Sequence, residues 1–327
     1  MKHVLVTGGT GLLGFNIIQS LLKRNYTVKA LVRDLEKGKR LLPSECELVQ
    51  GDICQPETLA TAFKDCQWVF HAAGFPEQWM KNNDTFEKVN VQGTANMIEA
   101  AMHAKIERFI HTSTIDVFEG FAHKEYDESI IDANPKGTYY ERSKQKADQL
   151  VTAALANGLP AVFLHPAGLY GPGPTDSPGM NDFFQKMDKK QVPVLLPGGL
   201  PLVYGPDAGE AHVLAAEQAE LGERYILCDQ YFTLTALATA VSKELNNGAK
   251  KYSVPAVMPL WVAKGISIVG EAVSSIIKQP PLMPKGQLHF LQWQAIPVSK
   301  KAQKELGWNI TPFQKGLKDT LKYLNIR

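Results

Sequence analysis

"VLVTGGTGLLGFNIIQSLL", residues 4–22, passes from an apolar β-branched run through a cluster of glycines into a segment with helical spacing of Leu and Ile. Gly8, Gly9, Gly11 and Gly14 would break an apolar helix, so the reading is strand, turn and helix rather than a signal peptide. The same alternation continues outward. KHVLVTG (2–8), YTVKALVRD (26–34), CELVQGD (46–52), QWVFHAAG (67–74), ERFIHTST (107–114) and PAVFLHPAG (160–168) are apolar strand candidates. Between them lie stretches of helical periodicity, notably 82–104 and 136–157. Strands rich in Val, Ile, Leu and Phe on both faces require helices on both sides of a parallel sheet. The fold class is therefore α/β, a doubly wound parallel sheet.

Beyond residue 167 the pattern loosens into the Pro/Gly-rich stretches 168–179 and 194–209, followed by helical runs at 207–220, 233–246, 258–278 and 311–324. Residues 1–166, with a return strand near 223–228, are expected to form one domain. Residues 167–327 are expected to form most of a smaller mixed α/β lobe. Composition narrows the partners: Lys+Arg 35 against Asp+Glu 33 gives a net charge of +2, without the basic field that nucleic acid demands. The apolar stretch 254–278 is interrupted by Lys264 and Glu271, which favours a buried or amphipathic helix over a transmembrane one. Cys46, Cys54, Cys66 and Cys228 have no metal-ligand spacing and fit free thiols in a reducing cytoplasm. No metal site is expected.

Glycines at 8, 11 and 14 at the end of the first strand let the backbone turn tightly and approach a pyrophosphate, whose charge then meets the positive end of a helix. Thr10, Leu12 and Leu13 belong to the same turn. Where an acid would grip a ribose 2′-hydroxyl, the second strand ends in Arg33, whose guanidinium suits a 2′-phosphate. The cofactor favoured is NADP(H) over NAD(H), with Asp34 as the residue that could reverse this choice. Asp52 and Ile53 of GDI, and Ala72, Ala73 and Gly74 of HAAG, end the third and fourth strands on the edge where adenine and the nicotinamide ribose belong.

TYYERSK (138–144) places Tyr140 and Lys144 on one helical face and turns Tyr139 about 100° away. Together with TGGTGLLG, VRD, GDI, HAAG, VNVQGT (89–94), HTSTIDVF (111–118), HPAGLYGPG (165–173) and DAGEAHVLAAE (207–217), this motif set resembles the extended short-chain dehydrogenase/reductase superfamily. Within it the chain looks most like the dihydroflavonol-4-reductase-like branch, which reduces carbonyls with NADPH on a Rossmann fold. The resemblance implies a catalytic group of Tyr140, Lys144 and Thr114, with Ser113 as the neighbouring hydroxyl, and it implies that Pro166 and Gly168 line the nicotinamide. It further implies that Lys144, together with the positive nicotinamide of the oxidised cofactor, lowers the pKa of the Tyr140 phenol, and that Asn90 orders its helix and a water. Helices 82–104 and 136–157 would pair two copies into a homodimer.

Two departures stand out. His165 occupies the place of a usual arginine and is expected to be structural. Ile115-Asp116 replaces the acid pair that follows the threonine in sugar-nucleotide dehydratases, which disfavours dehydration. Phe75, Trp79, Leu169, Tyr170, Phe183 and Tyr204 are expected to line the substrate space, an apolar and aromatic neighbourhood suited to a small-molecule carbonyl or alcohol. The leading expectation is an NADPH-dependent carbonyl reductase with Tyr140 as proton donor. The alternatives are an NAD(P)-dependent sugar-nucleotide epimerase or sterol-type alcohol dehydrogenase, and a non-catalytic NADP(H)-binding sensor.

Overall fold

Each stretch expected to be a strand is extended in the computed structural model, which describes residues 2–77, 79–174, 179–246, 251–277, 279–281 and 283–326. Positions 175–178 of the expected Pro/Gly-rich stretch, and the last position of the expected helix 258–278, lie outside the described residues. In chain order the strands are β1 (His3–Thr7), β2 (Thr27–Val32), β3 (Glu47–Gln50), β4 (Trp68–His71), β5 (Arg108–Thr112), β6 (Glu125–Tyr126), β7 (Ala161–Pro166), β8 (Gly168–Tyr170), β9 (Gly199–Tyr204), β10 (Arg224–Leu227), β11 (Gln230–Thr233) and β12 (Ile296–Pro297).

Seven of these form one parallel sheet in the order β10-β7-β5-β4-β1-β2-β3. The period-2 alternation of a strand decides its two faces. Val4 and Val6 join Ile17, Ile18 and Leu21 of helix Leu12–Lys23, and Ala211 and Val213 of helix Gly205–Gln218, in one core. Leu5, between them, joins Phe63, Met97 and Val151 in the other. Each such fully buried aliphatic side chain contributes roughly 1.5–3 kcal/mol. Chain order reverses between β1 and β4, and this switch point opens a crevice at the carboxyl ends of the strands.

Small residues bring two helices onto one another. A methyl group at Gly209 would stand 2.5 Å from the Asn16 carbonyl carbon, so helices Leu12–Lys23 and Gly205–Gln218 meet backbone to backbone. Arg24 Nη1, at the end of the first helix, donates to Glu210 Oε2 of the second at 2.6 Å. Expected helices 207–220, 233–246, 258–278 and 311–324 are found at Gly205–Gln218, Leu234–Leu245, Leu260–Ile277 and Phe313–Tyr323. Among the described residues no helix is long and apolar enough to cross a membrane.

The structure differs from expectation in two places. The helix expected over 82–104 runs without a break from Asp84 to Ala104 but is not regular: Asp84–Phe86 passes into a π turn over Glu87–Gln92, and the α-helix resumes over Gly93–Ala104. The cause lies in Asn90 and Thr94. The Asn90 amide is drawn to the Phe75 backbone, and the Thr94 hydroxyl donates to the Asn90 carbonyl at 2.7 Å, occupying an oxygen of the helical ladder. The second difference is where the strands of the expected mixed α/β lobe lie: its sheet, β11-β9-β8, takes β8 and β9 from what reads as irregular Pro/Gly-rich chain. Pro201 masks β9 as a strand, yet all of Gly199–Tyr204 is buried, and β11 pairs with it antiparallel.

Candidate active site

At the carboxyl end of β1 the chain turns on Gly8, whose φ of +73° favours glycine. A methyl group at Gly8 would lie 2.8 Å from the Ala72 carbonyl and Ala73 nitrogen, and one at Gly14 would lie 2.2 Å from the Gly8 carbonyl oxygen. Gly11 behaves differently, since a methyl there would meet only the Gly8 oxygen at 3.4 Å. The turn is closed on the protein side and open at Gly11. Gly11 is also the N-cap of helix Leu12–Lys23, with no side chain capping the helix and no acid in its first turn. The free N–H groups and positive dipole end therefore face the open side, the donor set that a pyrophosphate requires. The residues present fit a dinucleotide.

Arg33, just past β2, is exposed, as is Asp34. The Asp34 carboxylate caps helix Leu35–Leu41 by accepting from the Lys37 N–H at 3.0 Å. Asp52 accepts from the Cys54 N–H at 2.9 Å, and the carbonyl of buried Ile53 accepts from Asn96 at 2.7 Å. Ala73 donates its N–H to Thr7 Oγ1 at 3.1 Å, holding the end of β4 beside β1. Gly74 comes next, and a methyl there would be 4.0 Å from Lys144 Nζ. The turn after β4 thus joins the dinucleotide side of the crevice to the catalytic candidates.

Helix Tyr139–Ala156 begins at a capping box: Thr138 Oγ1 accepts from the Glu141 N–H at 3.1 Å, and Glu141 Oε2 accepts from the Thr138 N–H at 2.7 Å. This cap fixes the first turn, which carries both tyrosines. Tyr139 is 54% exposed, stacked on Phe86 and covered by the Arg142 guanidinium, a surface packing position. Tyr140 is half-buried with its hydroxyl inside. Lys144, one turn later, is buried and donates to the Thr112 carbonyl at the end of β5 at 2.7 Å.

Thr114 and Ser113 follow directly. Both are buried, and the Ser113 hydroxyl has no hydrogen-bond partner among the described residues. Thr114 Oγ1 donates to Asp116 Oδ2 at 2.7 Å. His165 is fully buried at the end of β7, with Nδ1 3.1 Å from the Thr114 carbonyl and Nε2 3.4 Å from Arg224 Nη1. Burial pushes its pKa down to about 3, so the ring is neutral and braces the Thr114 backbone.

Lys144 and an oxidised nicotinamide together are expected to make the Tyr140 phenol more acidic; the protein's own surroundings act in the opposite direction. Burial, and then the nearby Asp116 carboxyl, raise its pKa far above the usual phenol value, while a hydrogen bond with Thr114 acts the other way. The ammonium of Lys144 is turned to the Thr112 carbonyl, and its own pKa is lowered to about 8, first by burial. Tyr140 consequently holds its proton across the neutral range, the state of a proton donor.

The substrate expectations divide. Phe75 and Trp79 are half-buried after β4, with the Phe75 ring edge-on to Phe86 at 5.3 Å. Leu169 and Phe183 are also half-buried. Tyr170 and Tyr204 do not line the site. Tyr170 is completely buried and Tyr204 is 6% exposed, their rings packed on each other and Tyr170 on Phe184 and Phe313 in the core of the smaller lobe. They pair across β8 and β9, and the face they share turns into that core. Pro166 is buried at the end of β7, opposite Leu227, and Gly168 opens β8, where a methyl group would stand 3.0 Å from the Pro201 carbonyl oxygen.

Sequence reasoning left out a polar chain under this site. Thr7 Oγ1 and His71 Nδ1 are 2.9 Å apart, His71 Nε2 and Thr94 Oγ1 3.1 Å, and Asn90 Nδ2 donates to Ser143 Oγ at 2.8 Å. Ser143 Oγ in turn donates to the Tyr140 carbonyl at 2.7 Å. The signal available was a set of polar residues at apolar strand and helix positions.

Residues 4–228 match the NAD dependent epimerase/dehydratase family. A protein of Synechocystis sp. assigned as a dihydroflavonol 4-reductase is 28% identical over 326 residues, covering 97% of this chain and 93% of that protein. The decarboxylating sterol-4-alpha-carboxylate 3-dehydrogenase of Mus musculus is 30% identical over 327 residues, covering 94% and 86%. The crystal structure of gox2253 superposes with a TM-score of 0.83 at 27% identity, covering 99% of this chain and 98% of that one.

Proposed function

This chain belongs to the NAD dependent epimerase/dehydratase family and is an NAD(P)-dependent enzyme of the extended short-chain dehydrogenase/reductase type; from that premise we propose that it reduces the carbonyl of an apolar aldehyde or ketone with NADPH, Tyr140 donating the proton. The observation that carries this reading is the placement of the Tyr140 phenol, its hydroxyl buried beside that of Thr114 and one helical turn from Lys144. A carbonyl oxygen that gains negative charge needs a proton and a hydrogen-bond donor at that moment. Tyr140 supplies the first, and Thr114, with Ser113 beside it, the second.

The open turn at Gly8, Thr10, Gly11, Leu12, Leu13 and Gly14 would hold the pyrophosphate. Asp52 and Ile53 would flank the adenine, and Ala72, Ala73 and Gly74 the second ribose. Lys144 would bind the ribose hydroxyls, and Pro166 and Gly168 would back the nicotinamide. When bound, the reduced dinucleotide supplies the hydride. Arg33 supports NADP(H), because the neighbouring Asp34 is occupied as a helix cap while the guanidinium is exposed. We assign residues 1–166 with 223–228 to the dinucleotide and most of 167–327 to the substrate. Phe75, Trp79, Leu169 and Phe183 give the substrate side its apolar character, and the names of the two relatives favour a ring-bearing ketone. We further assign the chain to the cytoplasm as a homodimer formed through the helices near 84–104 and 139–156.

Sterol-type alcohol oxidation is the second reading, favoured by the mouse relative. The test is absorbance of NADPH during incubation with a panel of aldehydes, ketones and dihydroflavonols, followed by NAD(P)+ with sterol alcohols and by UDP-sugars. NADPH consumption with a ketone supports the proposal. Silence on every carbonyl, with turnover of UDP-sugars and no net cofactor change, overturns it in favour of an epimerase.

A further inference from the structure

Asp116 is the acid whose charge acts most on the proposed proton donor. It lies in the short turn Ile115–Val117 directly after Thr114, is 3% exposed, and accepts the Thr114 hydroxyl proton on Oδ2 at 2.7 Å. Its other oxygen is buried with no hydrogen-bond partner among the described residues. A threonine hydroxyl has one proton. Here three oxygens compete for it: Asp116 Oδ2, the Tyr140 phenol and the carbonyl oxygen of a bound substrate. An ionised carboxylate wins such a contest, since charge-assisted hydrogen bonds are roughly twice as strong as neutral ones. Thr114 then offers a substrate only lone pairs. A protonated Asp116 instead donates to Thr114 Oγ1 and leaves the hydroxyl proton free to point at the substrate.

The surroundings favour an easy change between these states. From helix Tyr139–Ala156 the carboxyl faces Tyr140, Glu141 and Lys144; from the loop before it, Lys136; from β6, the buried Tyr126 hydroxyl, which has no hydrogen-bond partner among the described residues. Burial and the Glu141 charge raise the Asp116 pKa to about 7, with Thr114, Lys136 and Lys144 opposing.

We propose that Asp116 is a positioning residue whose proton sets the direction of the Thr114 hydroxyl, making it a donor to a carbonyl when Asp116 is neutral and an acceptor from an alcohol when Asp116 is ionised. This deepens the reductase reading and rests on it for its kinetic consequence. Two measurements test it. In the protein without substrate, the infrared carbonyl band of a buried carboxylic acid, taken as wild type minus Asp116→Asn, should disappear as pH rises through neutrality. Thr114→Val should move that loss to higher pH, because the carboxylate has lost its donor. In turnover with the best ketone of the panel, kcat/KM of the wild type should fall about tenfold per pH unit above Asp116's ionisation. Asp116→Asn, always neutral and always a donor, should lose that limb and keep only a later one belonging to Lys144.

A band absent at every pH from 5 to 9, a titration unmoved by Thr114→Val, or an alkaline limb unchanged in Asp116→Asn overturns the proposal while leaving the reductase intact. Silence of the wild type on the whole carbonyl panel sinks the reductase, and the infrared titration with Thr114→Val then decides the Asp116 and Thr114 coupling without it.

Discussion

At the end of β1 the crevice is made of main chain, folded so tightly that a methyl group at Gly14 would stand 2.2 Å from the Gly8 carbonyl oxygen. At the end of β5 it is made of side chains: Thr114, Asp116, Tyr140 and Lys144, all titratable or proton-bearing, meet from separate stretches of chain. The first region presents fixed N–H dipoles that do not change with pH. The second changes its charges and donors with every proton gained or lost. Recognition of a phosphate needs only the former; moving a proton onto a substrate oxygen needs the latter.

The largest effect should come from the region with no room to adjust. Gly14→Val forces the first helix away from its strand, an overpacking of about 3 kcal/mol or more. A calorimetric titration should find dinucleotide affinity reduced at least about a hundredfold. Normal binding by a folded Gly14→Val protein would break the claim that this side is built from backbone. Next is the reacting side. Tyr140→Phe should lower turnover by about 10²-fold or more while leaving NADPH affinity nearly intact. Equal losses in affinity and turnover would show that the two regions are not separable.

Arg33→Ser sharpens the comparison by testing a side chain at the edge of the backbone site. Losing a charge-assisted contact of about 1.5–3 kcal/mol should weaken NADPH binding by roughly 10- to 100-fold and leave NADH unchanged. Equal weakening of both would return the ribose role to Asp34. The last effect is on stability alone. Lys144 has an ordinary pKa of 10.5 and a folded value of about 8, so the unfolded chain binds more protons between those values. Wild-type stability, measured against Lys144→Met without dinucleotide, should therefore rise as pH climbs from 8 to 10.5. Below 8 the full cost of the buried ammonium remains. Melting temperatures should register this at roughly 2–4 °C per kcal/mol. A difference flat across that window would show that Lys144 is solvated.

The outlines of the sheet and its dinucleotide turn were legible because each depends on local order in the chain: alternation in Val, Leu and Ile, and glycines three apart. The helix over 82–104 was legible as a helix but its π turn was not, because that turn depends on Asn90 reaching Phe75 from another segment. The strand at Gly199–Tyr204 was hidden by Pro201, which a buried pairing partner accommodates and a single-sequence pattern cannot reveal. Tyr170 and Tyr204 were misplaced for a related reason: an aromatic that lines a cavity and one that fills a core have the same sequence signature.

By itself the sequence determined the strand order's raw material, the glycine turn, and the helical partnership of Tyr140 with Lys144, since spacing along one strand or helix fixes which residues share a face. Only the tertiary structure decided that the Asp116 carboxyl comes close enough to the Tyr140 phenol to act on it, and that Lys144 is tied to the Thr112 carbonyl. Electrostatic influence follows distance and burial in three dimensions, and neither is written in the spacing of residues along the chain.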